Sequence, residues 1–468
     1  MVKNYIPLFF GILTGFLLSF STVRGQSKPN IIIYLTDDQS QADASVYGAS
    51  NLLTPQLERL SDIGMTFENA FIASPACAPS RAALLTGLMP ARNGAEANHT
   101  YPRPGTLLLT QKLQDIGYEV LALGKVAHGK MNQESGFDAY QPVPKWGDLS
   151  GAARLILESR NNNRPICLLL GDHRPHVAWI DSLGYNPQEV SLPDYLINTL
   201  ETREHWARYY TDITGADREM GEVLDLAQEK WNDDFIFIYS SDHGGQWPFG
   251  KWNLYDAGIK VPLLVAWPGQ VESGSRTDAM VSWIDIFPTL LDMLGGEVPK
   301  DIDGKSFAPV LLGETDQHRD MIFTTHSGDG VMNVYPIRSV RTQRYKYIIN
   351  LCPECYHTNH SDILRKDGAG AYWDSWDKKA ETDSEAAAII QKYYVRPAEE
   401  FYDLQQDPTE QHNLIEEANY QTQIKTMRSQ LEEWMQQQGD HQTVFQKPYL
   451  ISDPKPDSVL VLERRNKN

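Results

Sequence analysis

The stretch Asn30-Ile-Ile-Ile-Tyr-Leu-Thr-Asp-Asp-Gln39 decides the fold of this chain. Its first six residues are mostly apolar and β-branched, a pattern typical of a strand buried on both faces of a parallel sheet. Two acids, Asp37 and Asp38, follow the run directly. The sequence therefore predicts a buried strand that ends at a pair of carboxylates.

The same pattern occurs twice more along the chain. The apolar run 164–170 leads into a polar loop that ends at His176, and the run 234–239 leads into Ser-Ser-Asp242-His243-Gly. Between these strands lie stretches with helical periodicity, at residues 54–63, 107–116 and 209–231. This alternation predicts an α/β fold with a mostly parallel central sheet sandwiched by helices. Ligands of such sheets bind outside the carboxyl ends of the strands, where these polar loops fall.

The composition changes towards the C-terminus. Residues 345–349 read as a strand, and residues 419–438 read as a polar amphipathic helix. We therefore expect a larger unit over residues 26–325 and a smaller C-terminal α+β subdomain and tail over residues 326–468.

The N-terminus has the pattern of a secretory leader over residues 1–25. A basic residue, Lys3, precedes an apolar run over 6–20, and the small residues Val23 and Gly25 precede a plausible cleavage point. The run is shorter than the roughly 20 residues that a membrane span needs, and no other long apolar run follows. We expect an exported protein without stable membrane insertion, in the periplasm or medium of a bacterium, or in the lysosome or extracellular space of a eukaryote.

Composition and charge exclude several classes of protein. The 468 residues are 41% hydrophobic and 22% charged, which indicates a soluble globular protein. With 42 Lys and Arg against 61 Asp and Glu, the net charge is −19, so broad nucleic-acid binding is not expected. An anion can bind only in a local pocket where a metal or a few basic side chains outweigh the distant field.

The four cysteines are too few for a disulfide scaffold. Cys167 lies in an apolar run and reads as a buried strand residue. Cys352 and Cys355 have no second pair that would complete a zinc site, so a local disulfide and two free thiols both stay open. Cys77 precedes a predicted helix, with Arg81 one turn further on, where a nucleophile would feel a positive field. From this position alone, Cys77 is either a reactive group or a buried structural residue.

The motif around this cysteine resembles that of a known family. Cys77-Ala-Pro-Ser-Arg81, followed by Ala-Ala-Leu-Leu-Thr-Gly87, resembles the signature of the type I sulfatases of the alkaline-phosphatase superfamily. In that family the cysteine is oxidised to formylglycine, or 3-oxoalanine. Further blocks match in the same order, at 37–38, 124–129, 175–176, 242–244, 251–258, 335–341 and 402–414. The resemblance implies an alkaline-phosphatase-like fold and a sulfuric ester hydrolase.

The resemblance also implies a metal site. It assigns one divalent cation, Ca²⁺ ahead of Mg²⁺, to Asp37, Asp38, Asp242 and His243, together with the formylglycine formed from Cys77. Carboxylate oxygens suit such hard cations, whereas the imidazole of His243, where many relatives carry Asn, is a softer ligand. Taken alone, an acid pair after a strand is more often a turn or a helix cap.

Catalytic roles follow from the same resemblance. Arg81, Lys125 and Lys251 would hold the sulfate oxygens. A hydroxyl of hydrated formylglycine would attack sulfur while His176 protonates the leaving oxygen, and His128 would take a proton as sulfate departs. Without the motif, each lysine would read as a solvated surface charge.

The expected function is an exported sulfatase that hydrolyses sulfate esters on a carbohydrate. Its substrate would be a sulfated oligo- or polysaccharide, such as the algal glycan ulvan or a glycosaminoglycan, and its maturation partner would be a formylglycine-generating enzyme. The tail looks like that of the sulfamidases, which favours an N-sulfoglucosamine sulfohydrolase instead, while Asp242-His243 looks like iduronate 2-sulfatase. Two further hypotheses are a phosphonate or phosphodiester hydrolase of the same superfamily and an inactive sulfated-glycan binding protein.

Overall fold

Strand β1 lies in the middle of the larger of two sheets, and both of its faces are buried. The protein is described here from a computed structural model, which covers residues 1–2, 28–365 and 370–467. Almost all of the predicted leader over 1–25 thus lies outside the described residues. Side chains of β1 alternate between two apolar cores, with Ile31 and Ile33 in one and Ile32 and Tyr34 in the other. The expected two-sided burial of this strand is confirmed.

The larger sheet has eight strands in the order β4-β3-β5-β1-β6-β7-β2-β8. Only β7 runs antiparallel to its neighbours, so the prediction of a mostly parallel sheet is confirmed. The strands are β1 (Asn30–Thr36), β2 (Met65–Phe71), β3 (Glu119–Gly124), β4 (Ala139–Gln141), β5 (Ile166–Gly171), β6 (Phe235–Ser241), β7 (Leu263–Ala266) and β8 (Ser275–Ser282).

Helices cover both faces of this sheet, as expected for an α/β fold. They are α1 (Pro55–Asp62), α2 (Cys77–Thr86), α3 (Pro90–Asn93), α4 (Leu109–Asp115), α5 (Met131–Glu134), α6 (Leu149–Ser159), α7 (Leu200–Trp231), α8 (Asp256–Ile259), α9 (Ile286–Met293) and α10 (Ala308–Leu311). Helix α7 begins nine residues before the predicted start at 209, because the side chain of Thr199 caps it by accepting a hydrogen bond from the Thr202 N–H.

The second sheet is antiparallel, in the order β12-β11-β10-β9. Its strands are β9 (Ile322–His326), β10 (Ile337–Arg341), β11 (Tyr345–Asn350) and β12 (Glu399–Asp403). The accompanying helices are α11 (His360–Leu364), α12 (Trp373–Ala380), α13 (Ser384–Tyr394), α14 (Gln421–Gln438) and α15 (Ser458–Lys467). A smaller C-terminal α+β part is thus present. Strand β9 crosses the expected boundary at 325/326, and the division into domains stays a prediction.

The structure also bears on the expected state of the cysteines and on the expectation that the chain has no stable membrane insertion. Cys352 and Cys355 form a disulfide, which decides between the two states that the sequence left open for this pair, whereas Cys77 and Cys167 are free and buried. Within the described ranges, no helix combines the length and apolar character that crossing a membrane requires.

A buried ion cluster connects the two sheets. The carboxylate of Asp256, at the start of α8, accepts hydrogen bonds from Arg341 on β10 and from Lys346 on β11. The Nζ atom of Lys346 lies 2.6 Å from Asp256 Oδ1 and 2.7 Å from Glu410 Oε1, and its side chain is fully buried. Lys346 therefore pairs with two carboxylates, the buried Glu410 and the 16% exposed Asp256.

We expect Lys346→Met to lower the free energy of unfolding by about 3–5 kcal/mol, because it leaves the buried Glu410 carboxylate without its ion-pair partner and removes one of the two cations paired with Asp256. Chemical unfolding followed by circular dichroism would measure this change. Lys130→Met is the control, since Lys130 pairs with Glu134 at a site where both side chains are more than half exposed. Lys130→Met should lower the free energy of unfolding by about 1 kcal/mol or less. An equal decrease for both variants would contradict the prediction.

Candidate active site

Three neighbouring strands bring the predicted acids and histidines to one edge of the larger sheet. Strand β1 lies between β5 and β6, and all three run in the same direction. Asp37 and Asp38 follow β1, and Asp242 and His243 follow β6. The backbone N–H of Asp38 donates to Asp242 Oδ1 at 3.0 Å, so the two loops are joined directly. His176 comes from the loop after β5.

Helix α2 places Cys77 against this acidic edge. Cys77 is the first residue of the helix, and the Ser80 hydroxyl donates to the carbonyl oxygen of Asp242 at 2.6 Å, which fixes the helix start beside β6. The Sγ atom of Cys77 lies 3.4 Å from His243 Nε2, 3.7 Å from Asp37 Oδ1 and 3.6 Å from Lys125 Nζ. The cysteine thus contacts an acid, a histidine and a lysine at once.

Each of the three acids is paired with a base. Lys251 Nζ donates to both oxygens of Asp38, at 2.9 and 3.0 Å. Lys125 Nζ donates to Asp37. The third pair joins Arg81 Nε to Asp242 Oδ2 at 3.0 Å. Each of the three carboxylates therefore has a cationic partner.

The pKa values of these groups reflect the close packing of charge. Burial alone would raise the pKa of Asp37, but the positive charges of Lys125 and Arg81 hold it well below its usual value. Burial would lower the pKa of Lys251, yet the Asp38 carboxylate raises it. In the same way, the Asp242 carboxylate overcomes burial and raises the pKa of His243 to about 9. The cluster is thus ionised at neutral pH.

Arg81 differs from the two lysines in its position. Its side chain is fully buried, its Nη1 donates to the Lys125 and Val126 carbonyls, and it lies outside the wall of the pocket. In this arrangement Arg81 holds the Asp37 and Asp242 carboxylates in place without lining the pocket itself. The expected contact of Arg81 with sulfate stays a prediction.

The donor set fits a hard divalent cation. One ligand atom from each of five buried residues lies within 4.8 Å of all the others; the residues are Asp37, Asp38, Cys77, Asp242 and His243. Three of the five offer carboxylate oxygens, which Ca²⁺ and Mg²⁺ prefer. His243 can act as a ligand only as neutral imidazole, so it must release the proton that Asp242 favours. These are the residues that the sequence predicted for the metal.

A pocket of about 500 Å³ opens above Cys77. Five of the predicted residues line it, namely Cys77, Lys125, His128, His176 and Lys251. Sequence reasoning missed the other polar and aromatic residues of the wall, which are Asn98, His99, Gln246, Trp252, Asp329 and His360. The pocket therefore combines a cationic floor with a wall of histidines and one acid.

The two predicted catalytic histidines face this pocket as neutral groups. His176 Nδ1 donates to the carbonyl oxygen of Val177 at 2.5 Å, which leaves Nε2 as the second ring nitrogen, 3.9 Å from Asp38 Oδ2. Burial and the charge of Lys251 hold the pKa of His176 well below its usual value. Burial and Lys125 lower the pKa of His128 to about 3. Either ring can accept a proton, and donation requires an anion nearby that raises its pKa.

Two of the missed residues, Asp329 and His360, come from the C-terminal part of the chain. Asp329 follows β9, and His360 begins α11, where its ring stacks on Trp252 with centroids 4.8 Å apart. His99 connects Asp329 to the predicted catalytic residue His128. Its Nε2 lies 3.4 Å from Asp329 Oδ1, and its Nδ1 lies 2.9 Å from His128 Nε2. No local sequence pattern marks Asp329 or His360, because only the packing of the two sheets brings them to the pocket.

Comparison with known proteins shows the family to which the chain belongs. Residues 29–154 and 149–296 match the family model for sulfatases, and residues 243–360 match the model for the C-terminal part of N-sulphoglucosamine sulphohydrolase. The chain therefore belongs to the sulfatase family and is a sulfuric ester hydrolase.

Two relatives cover most of the chain. It is 32% identical over 424 residues to an ulvan-active sulfatase of Formosa agariphila, covering 88% of this chain and 81% of the relative. It is 26% identical over 494 residues to human N-sulphoglucosamine sulphohydrolase, covering 93% of each chain.

Solved structures show the same fold at lower identity. A protein solved in complex with its substrate D-glucosamine-2-N,6-O-disulfate superposes with a TM-score of 0.68 at 21% identity, over 89% of this chain and 99% of that one. The phosphonate monoester hydrolase of Agrobacterium radiobacter gives a TM-score of 0.69 at 19% identity, over 88% and 96% of the two chains. The expected alkaline-phosphatase-like fold is thus confirmed.

We expect Lys251→Ala to lower kcat/KM for a sulfate ester by about 10²–10³, because it removes a preorganised charge at the pocket floor and leaves Asp38 without its partner. Lys251→Arg should not restore the full rate, since a planar fork replaces a compact ammonium. Steady-state kinetics of purified, folded variants would measure both. Lys112→Ala on α4, away from the pocket, is the control, and kinetics equal to this control would contradict the assignment of Lys251.

Proposed function

We propose that this protein is an exported sulfatase that removes sulfate esters from a sulfated polysaccharide, with Cys77 as the formylglycine nucleophile and residues 1–25 as its leader. The observation that carries this proposal is the position of Cys77 at a helix start, in contact with the buried Asp37 and with Lys125. A polysaccharide substrate such as ulvan is supported by the 32% identical relative, and the leader by the sequence pattern.

Oxidised to formylglycine by a maturation enzyme, and hydrated, residue 77 would supply a hydroxyl nucleophile to sulfur. A divalent cation held by Asp37, Asp38, Asp242 and His243 would supply Lewis acidity at a sulfate oxygen when bound. Lys125 and Lys251, which line the pocket together with Cys77, would bind the remaining sulfate oxygens and stabilise the charge of the transition state.

Proton transfer falls to the two histidines of the pocket. His176 takes up a proton at Nε2 when the negative charge of a bound sulfate ester offsets Lys251, and it delivers this proton to the leaving oxygen of the sugar. Sulfate would then leave residue 77 as its bond to the formylglycine carbon breaks and the second hydroxyl becomes the aldehyde oxygen. His128, which is neutral and carries a buried Nδ1 with no partner among the described residues, would accept the proton of that hydroxyl. The hydrogen bond to His99 orients the His128 ring.

We expect Cys77→Ala to abolish turnover while the protein stays folded, because the side chain faces a polar cluster and its loss creates little apolar cavity. Mass spectrometry of the peptide around residue 77 should show formylglycine in the active enzyme, and co-expression with a maturase should raise activity. Cys167→Ala, which changes the other buried free cysteine, should keep full turnover per folded molecule. Activity of the Cys77→Ala protein within tenfold of wild type would refute the mechanism.

Chelation is expected to inactivate the enzyme, and Ca²⁺ or Mg²⁺ should restore it, because the donor set combines three buried carboxylates with one imidazole. Activity and elemental analysis would be followed together during dialysis against a chelator. The folded protein should also gain thermal stability as the cation is added back, since ligand binding stabilises the native state. Full activity in a sample free of metal would exclude the proposed site.

N-Sulfate is a second candidate for the scissile group, because residues 243–360 match the C-terminal model of N-sulphoglucosamine sulphohydrolase. A panel of ulvan oligosaccharides, O-sulfated glycosaminoglycan oligosaccharides, N-sulfoglucosamine and a phosphonate ester would separate the candidates. We expect the highest kcat/KM on an O-sulfated oligosaccharide. A preference for N-sulfoglucosamine would favour the second candidate, and a preference for the phosphonate ester would exclude both.

A further inference from the structure

The pocket above Cys77 adjoins a second compartment of about 280 Å³. The two share three wall residues, His99, Asp329 and His360. The side chain of His99 is 62% exposed, so the common wall is open to solvent and does not seal one compartment from the other. A ligand longer than one sugar can therefore extend from the first compartment into the second.

The far wall of this second compartment carries a cation, Arg465 on α15. The helix is fixed against the body of the protein, because Val461 is fully buried in an apolar cluster that includes Val331 and Met332. Among the described residues, no carboxylate pairs with Arg465, and its charge acts on His360 across the compartment. The Arg465 guanidinium is thus available to bind an anionic ligand in this compartment.

The shared wall carries the opposite charge. Asp329 is buried, and burial would raise its pKa, but His99, His360 and Lys251 hold that pKa well below its usual value. A permanent carboxylate here accepts hydrogen bonds from sugar hydroxyls and repels any anionic group placed beside it. Within the second compartment, an anionic substituent is therefore favoured at Arg465 and disfavoured at Asp329.

We propose that this compartment binds the sugar next to the sulfated one, and that Arg465 contacts an anionic group on it, either a carboxylate or a second sulfate. The inference rests on the proposed function, since it assumes that the first compartment holds a sulfated sugar. It specifies the substrate class as an acidic oligosaccharide with negative charge on adjacent residues. The protein carries a net charge of −19, so a local arginine is needed to hold such a group.

The test compares four substrates that carry the same scissile sulfate: a monosaccharide, a disaccharide with a neutral neighbour, one with a uronic acid neighbour and one with a sulfated neighbour. We expect Arg465→Ala to raise KM about fivefold to twentyfold for an acidic disaccharide, the range of a partly exposed charge-assisted hydrogen bond, and to leave kcat unchanged. If KM rises for the disaccharide with the uronic acid neighbour, Arg465 contacts a carboxylate. If it rises for the one with the sulfated neighbour, Arg465 contacts a sulfate.

Controls separate this contact from a general effect of charge. Arg464→Ala removes the same charge one residue away, where Arg464 lies over the Tyr449 ring and donates to the Lys447 carbonyl, and it should leave every KM within about twofold of wild type. The effect of Arg465→Ala should shrink at high salt, and Arg465→Lys should keep part of the affinity. An equal rise in KM for the monosaccharide or for Arg464→Ala would overturn the proposal.

Binding without turnover distinguishes this inference from the proposed function. Titration calorimetry of the Cys77→Ala protein with the acidic disaccharides should give a Kd that depends on Arg465. Hydrolysis of these disaccharides with no dependence of KM or Kd on Arg465 would overturn the subsite and leave the sulfatase assignment in place. Binding that depends on Arg465, in a wild-type enzyme that hydrolyses none of the sulfated sugars, would support the subsite and refute the proposed substrate.

Discussion

The pairing of three buried carboxylates with three cations determines how the loops around the larger sheet are arranged. Asp37, Asp38 and Asp242 meet because β1 and β6 are neighbouring parallel strands whose loops leave the sheet at the same edge. So many like charges in a protein interior are tolerated only when each is paired and hydrogen-bonded. The cations come from α2, the loop after β3 and the loop after β6, and this pairing constrains where these three segments can lie.

The same pairing explains how one set of residues can serve both a cation and an anion. Lys125 and Lys251 are paired with Asp37 and Asp38, which are also the expected metal ligands. A divalent cation bound to these acids would supply positive charge in place of the two ammonium groups, which line the pocket and would then be available to a sulfate ester. Arg81, fully buried behind the acids, keeps its partner Asp242 in either state and so preserves the geometry of the cluster.

The sequence was sufficient for the fold and for the floor of the pocket, because both depend on local patterns. An apolar run that ends in acids marks a strand end, and parallel strands bring such ends together, so Asp37 and Asp242 could be placed near one another without coordinates. The family motif added Cys77 and the two lysines. The start of α7 was misplaced because the capping role of Thr199 lies in a stretch without apolar periodicity.

The wall of the pocket could not be predicted in the same way. Asp329 and His360 belong to loops of the second sheet region, and their approach to Cys77 depends on how the two sheets pack, which no local spacing encodes. Buried ion pairs, such as that of Asp256 with Lys346, hold this packing. The larger sheet therefore provides the groups that suit a sulfate, whereas the C-terminal region provides an acid at the rim and Arg465 beyond it. The residues around Cys77 and the residues proposed to contact the adjacent sugar therefore come from different parts of the chain. For this reason, a change in the C-terminal region can alter which sugar is bound without disturbing the ion pairs around Cys77.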